Sequence, residues 1–193
     1  MSQINFRRHT YEIVETYANH KIHVKAKDKD FVIIPFNDGI ALSLYLSNKK
    51  VLKKNKVKMP KILKKDREGL MILEEYIPGR SALDIIAKNE LDKTYYNELF
   101  RVYRQNRFAK IAINYAPANF IYYKKWFYYL SDCVARFQTD TAFERGDEIL
   151  LWMNTEKAKQ YVINHQMVFQ DRPLLKEGGE LNKQIALLCV SYW

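Results

Sequence analysis

Residues 21–27 alternate cleanly, with Ile22, Val24 and Ala26 on one face and His23 and Lys25 on the other. A period of two marks a half-buried strand. Residues 11–18 alternate more loosely through Tyr11, Ile13 and Tyr17, and Asn19-His20 lies between the two runs. Two such runs around a short turn predict a hairpin. The apolar run FVIIPF at 31–36 predicts a third strand, and Pro35 marks its edge or its end. After the turn signal Asn37-Asp38-Gly39, residues 40–55 predict a helix with Ile40, Leu44, Val51 and Leu52 on its apolar side. Residues 60–63 and 70–74 predict two further strands, joined by the charged turn 64–69.

Near residue 80 the period changes. Tyr76-Ile77-Pro78-Gly79-Arg80 sets Pro beside Gly directly after an apolar strand, which predicts a lobe boundary. Ser81 and Asp84 have the spacing of a capping box and open a short helix ending near residue 88. Residues 92–109 carry Tyr96, Leu99, Phe100 and Tyr103 at three- and four-residue steps, the mark of a longer helix. Residues 111–119, with Pro117 inside, predict a loop. Residues 120–123 and 126–130, around Lys124-Lys125, predict a second hairpin. Helices are predicted at 142–153, 155–165 and 181–190. The fold class is therefore α+β. Residues 1–75 form a β-rich N-lobe with one helix, 76–80 a hinge, and 81–193 a helical C-lobe holding the second hairpin, all in one domain.

Composition adds a charge bias to this picture. Of 193 residues, 48% are apolar and 14% aromatic, which argues for a folded core and against disorder. There are 32 Lys+Arg against 22 Asp+Glu, a net charge of +10. Such a chain attracts polyanions: nucleic acid, an acidic protein partner or an anionic surface. Lysines crowd positions 49–65, and Arg101, Arg104, Arg107 and Lys110 make a second basic row at helical spacing. Lys53, Lys54, Lys56, Lys58, Arg104 and Arg107 are the candidate polyanion contacts. Tyr122, Tyr123, Trp126, Tyr128 and Tyr129 interleave with Lys124 and Lys125, a mixture able to stack bases, although an alternating hairpin turns half of its rings to the core. Cys133 and Cys189 have no metal-ligand spacing and suit a reducing cytoplasm. The start of the chain, with Arg7 and Arg8, is not a secretory signal, and no apolar run has the length of a membrane span. The expected location is cytoplasmic.

Candidate chemistry gathers in one stretch. Asn114 and Asn119 are five residues apart, and Asp132 lies thirteen beyond Asn119 with the second hairpin between them. Protein kinases place a catalytic Asp five residues before an Asn and a metal-binding Asp about a dozen residues later. The segments KMPKIL at 58–63, MILEEYIPG at 71–79, YAPANF at 115–120 and FYYL at 127–130 follow one another in the kinase order. Over residues 11–165 the chain resembles the short bacterial kinase-like proteins related to RIO kinases and to the small kinase of the KEOPS tRNA-modification complex. The resemblance implies a protein-kinase-like two-lobed fold. It also implies ATP along the hinge at Glu74, Glu75, Tyr76 and Ile77, Mg²⁺ on Asn119 and Asp132, and Asn114 at the catalytic-base position.

The departures from that pattern fall on the chemistry. An amide at Asn114 cannot accept a proton as a carboxylate does. Ile34 or Pro35 stands where the phosphate-binding Lys is expected, and no Glu occurs between Glu15 and Glu68 to pair with one. The turn Ala18-Asn19-His20 has no glycine. Ser131-Asp132-Cys133 lacks the following Gly, and a gapless match to the KEOPS spacing puts Ser131 in the metal position. The reading is a pseudokinase acting through protein or nucleic-acid binding. The alternatives are an active, atypical ATP-dependent Ser/Thr phosphotransferase, and a basic α+β nucleic-acid-binding module without a kinase fold.

Overall fold

The computed structural model describes residues 2–17, 20–139 and 142–192. Two positions of the predicted glycine-free turn, Ala18 and Asn19, lie outside them. The chain divides into two compact units: Met1–Val51 with Met59–Pro78, and Leu52–Lys58 with Gly79–Trp193.

The first unit is an antiparallel sheet. Its strands are β1 (Gln3–Phe6), β2 (His9–Thr16), β3 (Ile22–Ala26), β4 (Lys29–Pro35), β5 (Ile62–Asp66) and β6 (Met71–Glu75), in the order β1-β2-β3-β4-β6-β5. Helix α1 (Gly39–Lys54) lies between β4 and β5 in the chain. The β4–β6 register pairs Ile33 with Leu73 and Ile34 with Ile72. Alternation then sends Ile33 and Leu73 to one face, with Phe6, Tyr11 and Val24. Ile34 and Ile72 go to the other, against Leu42 and Tyr45 of α1. Both faces are covered, so this part of the strand offers no polar position.

Three expectations change here. Strand β1 was not predicted, because only Ile4 and Phe6 turn inward and the pairing Ile4↔Tyr11 with β2 is what makes it a strand. Strand β5 starts later than predicted and takes in Lys64 and Lys65. It is an edge strand whose lysines face water, which an edge tolerates and even favours. The predicted apolar side of α1 is rotated. Ile40 and Leu44 are 81% and 59% exposed, while Leu42, Tyr45 and Lys49 are buried.

The second unit is mainly helical. It contains β7 (Arg80–Ser81), α2 (Ala82–Ala87), α3 (Lys93–Phe108), β8 (Ile111–Ile113), β9 (Phe120–Tyr123), β10 (Trp126–Tyr129), β11 (Val134–Arg136), α4 (Glu148–Leu151), α5 (Glu156–Asn164) and α6 (Gly179–Tyr192). The predicted cap is present: Ser81 Oγ accepts the Asp84 amide at 3.0 Å. Asp92 caps α3 in the same way, at 2.7 Å from Thr94 N. Gly79 is required by a close approach, since a Cβ there would lie 2.4 Å from the Tyr122 carbonyl oxygen. Strands β10-β9-β7 form one small sheet and β11-β8 another.

The predicted loop 111–119 thus begins with a strand. Ile111-Ala-Ile113 is too short to declare itself, and β11 supplies the partner. The predicted helix 142–153 is a 3₁₀ turn at Phe143–Arg145 followed by α4; Gly146, extended at φ −89° and ψ 170°, separates them. The core of this unit is aromatic, with Phe100, Tyr103, Phe120, Phe127, Tyr129, Phe143 and Trp152 fully buried. Among the described residues no helix is long and apolar enough to cross a membrane.

Candidate functional site

The two asparagines of the five-residue spacing sit at the ends of one tight loop after β8. Asn114 Oδ1 accepts the Ala116 amide at 2.9 Å, closing a turn on its own backbone. Asn119 Nδ2 donates to the Asn114 carbonyl at 3.3 Å, tying the end of the loop to its start. Pro117 is buried and opens a 3₁₀ turn ending at Asn119. From beneath, the Trp152 indole N–H donates to the Tyr115 carbonyl at 2.7 Å, and Asn106 Nδ2 donates to the Tyr115 hydroxyl at 2.9 Å.

The hairpin β9–β10 returns the chain to this loop. Leu130 N donates to the Asn119 carbonyl at 2.8 Å. The buried Tyr129 hydroxyl accepts from Asn114 N at 3.2 Å and donates to the Cys133 carbonyl at 3.0 Å. One phenol therefore joins the loop that holds both asparagines to the turn that holds Asp132. Burial pushes the Tyr129 phenol up to about 12, partly offset by Ser131 and the Asn114 amide. The folded state keeps this proton more firmly than the unfolded chain does. The resulting stabilisation is full below an ordinary phenol value of about 10 and is lost as pH rises through about 12. Tyr129→Phe is expected to cost ~1–3 kcal/mol at neutral pH. Its urea midpoint should also fall less steeply than that of the native chain over the alkaline range. Parallel declines of the two proteins would refute the bridge.

Asp132 is half-exposed, and Ser131 Oγ beside it accepts the Cys133 amide at 3.2 Å. Asp132 is the sole carboxylate between Asn114 and Cys133. Mg²⁺ in phosphate chemistry is held by one or two carboxylates with several waters. Asp132 and the remaining Asn119 Oδ1 are the same two side-chain types that hold Mg²⁺ in kinases. Among the described residues no three His, Cys, Asp or Glu side chains gather as a metal cluster.

In the first unit, of the two positions at which the resemblance leads one to expect a Lys, Ile34 packs against Leu42 and Tyr45, and Pro35 is exposed at the end of β4. The side chains at 74–77 are all engaged. Glu74 is 1% exposed, accepts the Tyr45 hydroxyl at 2.6 Å and lies 3.1 Å from the Lys49 ammonium, itself 4% exposed. Glu75 Oε2 accepts the Lys61 amide at 3.4 Å. Tyr76 stacks on His23 at 4.3 Å, and His23 Nε2 lies 2.8 Å from Asp30. Ile77 is buried. Lys49 was read as one more member of the lysine run. Its place on α1, one turn after Tyr45, was the one available signal that it turns inward.

The candidate polyanion residues separate into two groups. Arg107 pairs with Glu144 at 3.3 Å, and Arg104 donates to the Tyr192 carbonyl. Both therefore tie parts of the second unit together. Lys53, Lys54 and Lys56 are exposed, and Lys58 is half-buried with its ammonium 4.4 Å from the centre of the Trp126 ring. Of the interleaved rings, Tyr129 is core, Tyr122 packs on Tyr95 and Phe127, and Trp126 is 37% exposed. The sequence matches no protein-family model, and no curated protein is found similar to it.

Proposed function

We propose that the chain is a protein-kinase-like protein without phosphotransfer activity, which works by binding a partner. The observation that carries this reading is Asn114. At the position where a kinase keeps its catalytic carboxylate, this chain has an amide, and the amide oxygen already accepts Ala116 N–H. Such a group neither takes a proton from a hydroxyl nor is free to turn toward one.

The kinase-like part of the reading is supported by the order of the elements. Helix α1 comes between β4 and β5, and β5 and β6 complete the same sheet. In the second unit β8 pairs with β11 and β9 with β10, around the loop with the five-residue Asn spacing. The inactive part is supported by the Lys–Glu pair. Kinases set a strand Lys against a helix Glu to hold nucleotide phosphates. Here α1 carries Lys49, whose buried partner is Glu74 on β6. The strand where the Lys is expected, β4, has the buried Ile34 instead and no cation at that position.

A titration with Mg-ATP followed by thermal unfolding tests the reading. A ligand at free concentration L that binds only the folded state stabilises it by RT ln(1 + L/Kd) and so raises Tm as its concentration passes Kd. The expected result is an unchanged Tm up to millimolar nucleotide. Asp132, a half-exposed carboxylate, is what favours the rival, an active divergent phosphotransferase. A rise in Tm that disappears in Asp132→Ala, together with transfer of labelled γ-phosphate by the native chain, would establish that rival.

A further inference from the structure

Three segments of the second unit meet at Trp126. The first is Leu52–Lys58, which leaves α1 and joins this unit. Its Asn55 carbonyl accepts Gln105 Nε2 of α3, and its Lys58 carbonyl accepts Tyr129 N of β10 at 2.8 Å. The second is α3, whose Arg101 guanidinium lies 4.8 Å from the Trp126 ring centre. Arg101 is fixed in place by Glu98 at 2.6 Å and 2.8 Å and by Gln105 at 2.9 Å. The third is the β9–β10 turn, where Lys124 and Lys125 are exposed and Lys124 lies 5.1 Å from the Tyr123 ring. Tyr123 is the cross-strand partner of Trp126.

Glu98 is buried, and its carboxylate also accepts Phe127 N at 3.1 Å, so this acid holds the face together from inside. What the face presents is an indole beside two cations, and the segment that brings Lys58 to it also carries the exposed Lys53, Lys54 and Lys56. Surface charge alone attracts any polyanion. A π-face set among cations fits a narrower class, because unstacked bases offer rings and their backbone offers phosphates at the same spacing along one strand.

We infer that this face binds single-stranded nucleic acid. Trp126 stacks a base, Arg101 holds the indole in position, and Lys53, Lys54 and Lys56 follow the phosphates. The Lys58 ammonium now lies over the ring, and among the described residues it forms no ion pair. It moves to a phosphate when a base takes its place. This names the ligand class for the binding role proposed above and rests on that reading only for its place in the protein's work. The Mg-ATP titration and the experiment below fail independently of each other.

The test is fluorescence anisotropy of the full chain with labelled oligouridylate and oligothymidylate of about 16 nucleotides, over a salt series from about 50 to 200 mM. The expected result is binding of both single strands, with the slope of log K against log salt near about −3, as for about four neutralised phosphates. Trp126→Ala should weaken binding roughly tenfold with little change in slope, and Trp126→Phe should restore most of it. Lys53→Gln/Lys54→Gln/Lys56→Gln should make the slope shallower by about 2. Lys64→Gln/Lys65→Gln, in the first unit, should leave binding unchanged. A ribo- or deoxyribo-preference identifies which strand is the better ligand and supports the inference either way. Equal affinity for the duplex, an equal loss from the Lys64/Lys65 pair, indifference to Trp126→Ala, or preference for anionic vesicles over the oligonucleotides would each overturn it.

Discussion

Lys49→Met is expected to destabilise the chain by ~3–5 kcal/mol, and Glu74→Gln added to it should recover most of that loss. The single change leaves the Glu74 carboxylate buried, 1% exposed, with the Tyr45 hydroxyl as its remaining named partner. An uncompensated buried charge is the expensive state; the pair as a whole is not necessarily stabilising. The double variant keeps an acceptor for Tyr45 at 2.6 Å and removes both charges, so its stability should return close to that of the native chain. The Lys49 ammonium lies 3.1 Å from Glu74 without an aligned hydrogen bond, which is a further reason for the neutral pair to be tolerated. Urea midpoints of the three proteins decide the matter. If Lys49→Met alone costs less than about 1 kcal/mol, or the double variant is no better than the single, the pair is not the buried charge described here.

Trp152→Ala should cost a similar ~3–5 kcal/mol, and Trp152→Phe less. The indole is fully buried, with edge contacts to Phe120 at 5.6 Å and Phe127 at 5.4 Å. Its N–H satisfies the Tyr115 carbonyl at 2.7 Å, in the middle of the loop between the two asparagines. Phenylalanine keeps much of the apolar contact and abandons that carbonyl, a loss of ~1–3 kcal/mol. Exchange of the Ala116 and Asn119 amides should accelerate in both variants, because those amides close the turn above Tyr115. Unaltered exchange at those two positions would mean the loop holds its shape without the indole.

The two experiments probe different parts of the proposed loss of chemistry. The first concerns the unit that holds Ile34 and the Lys49–Glu74 pair. The second concerns the loop closed by Asn114.

Local pattern determined much of the architecture. The Ser81 cap, the second hairpin and the long helix around Tyr96–Tyr103 were all legible, because each depends on neighbours within one turn or one strand. The five-residue spacing of Asn114 and Asn119 was equally plain from the chain. Only the tertiary structure decided what those groups touch. Strands β1, β8 and β11 are too short to signal themselves and exist through partners in other segments. The buried side of α1 follows from which face the sheet covers, and a sequence with apolar residues on both sides of a helix does not specify it. Tyr45 and Glu74 are 29 residues apart, and Trp152 is 37 from Tyr115. A periodicity reports how buried a position is. It does not report which distant group completes its hydrogen bond or balances its charge, and on those pairings rest the loop, the buried Lys49–Glu74 pair and the indole beside Lys58 and Arg101.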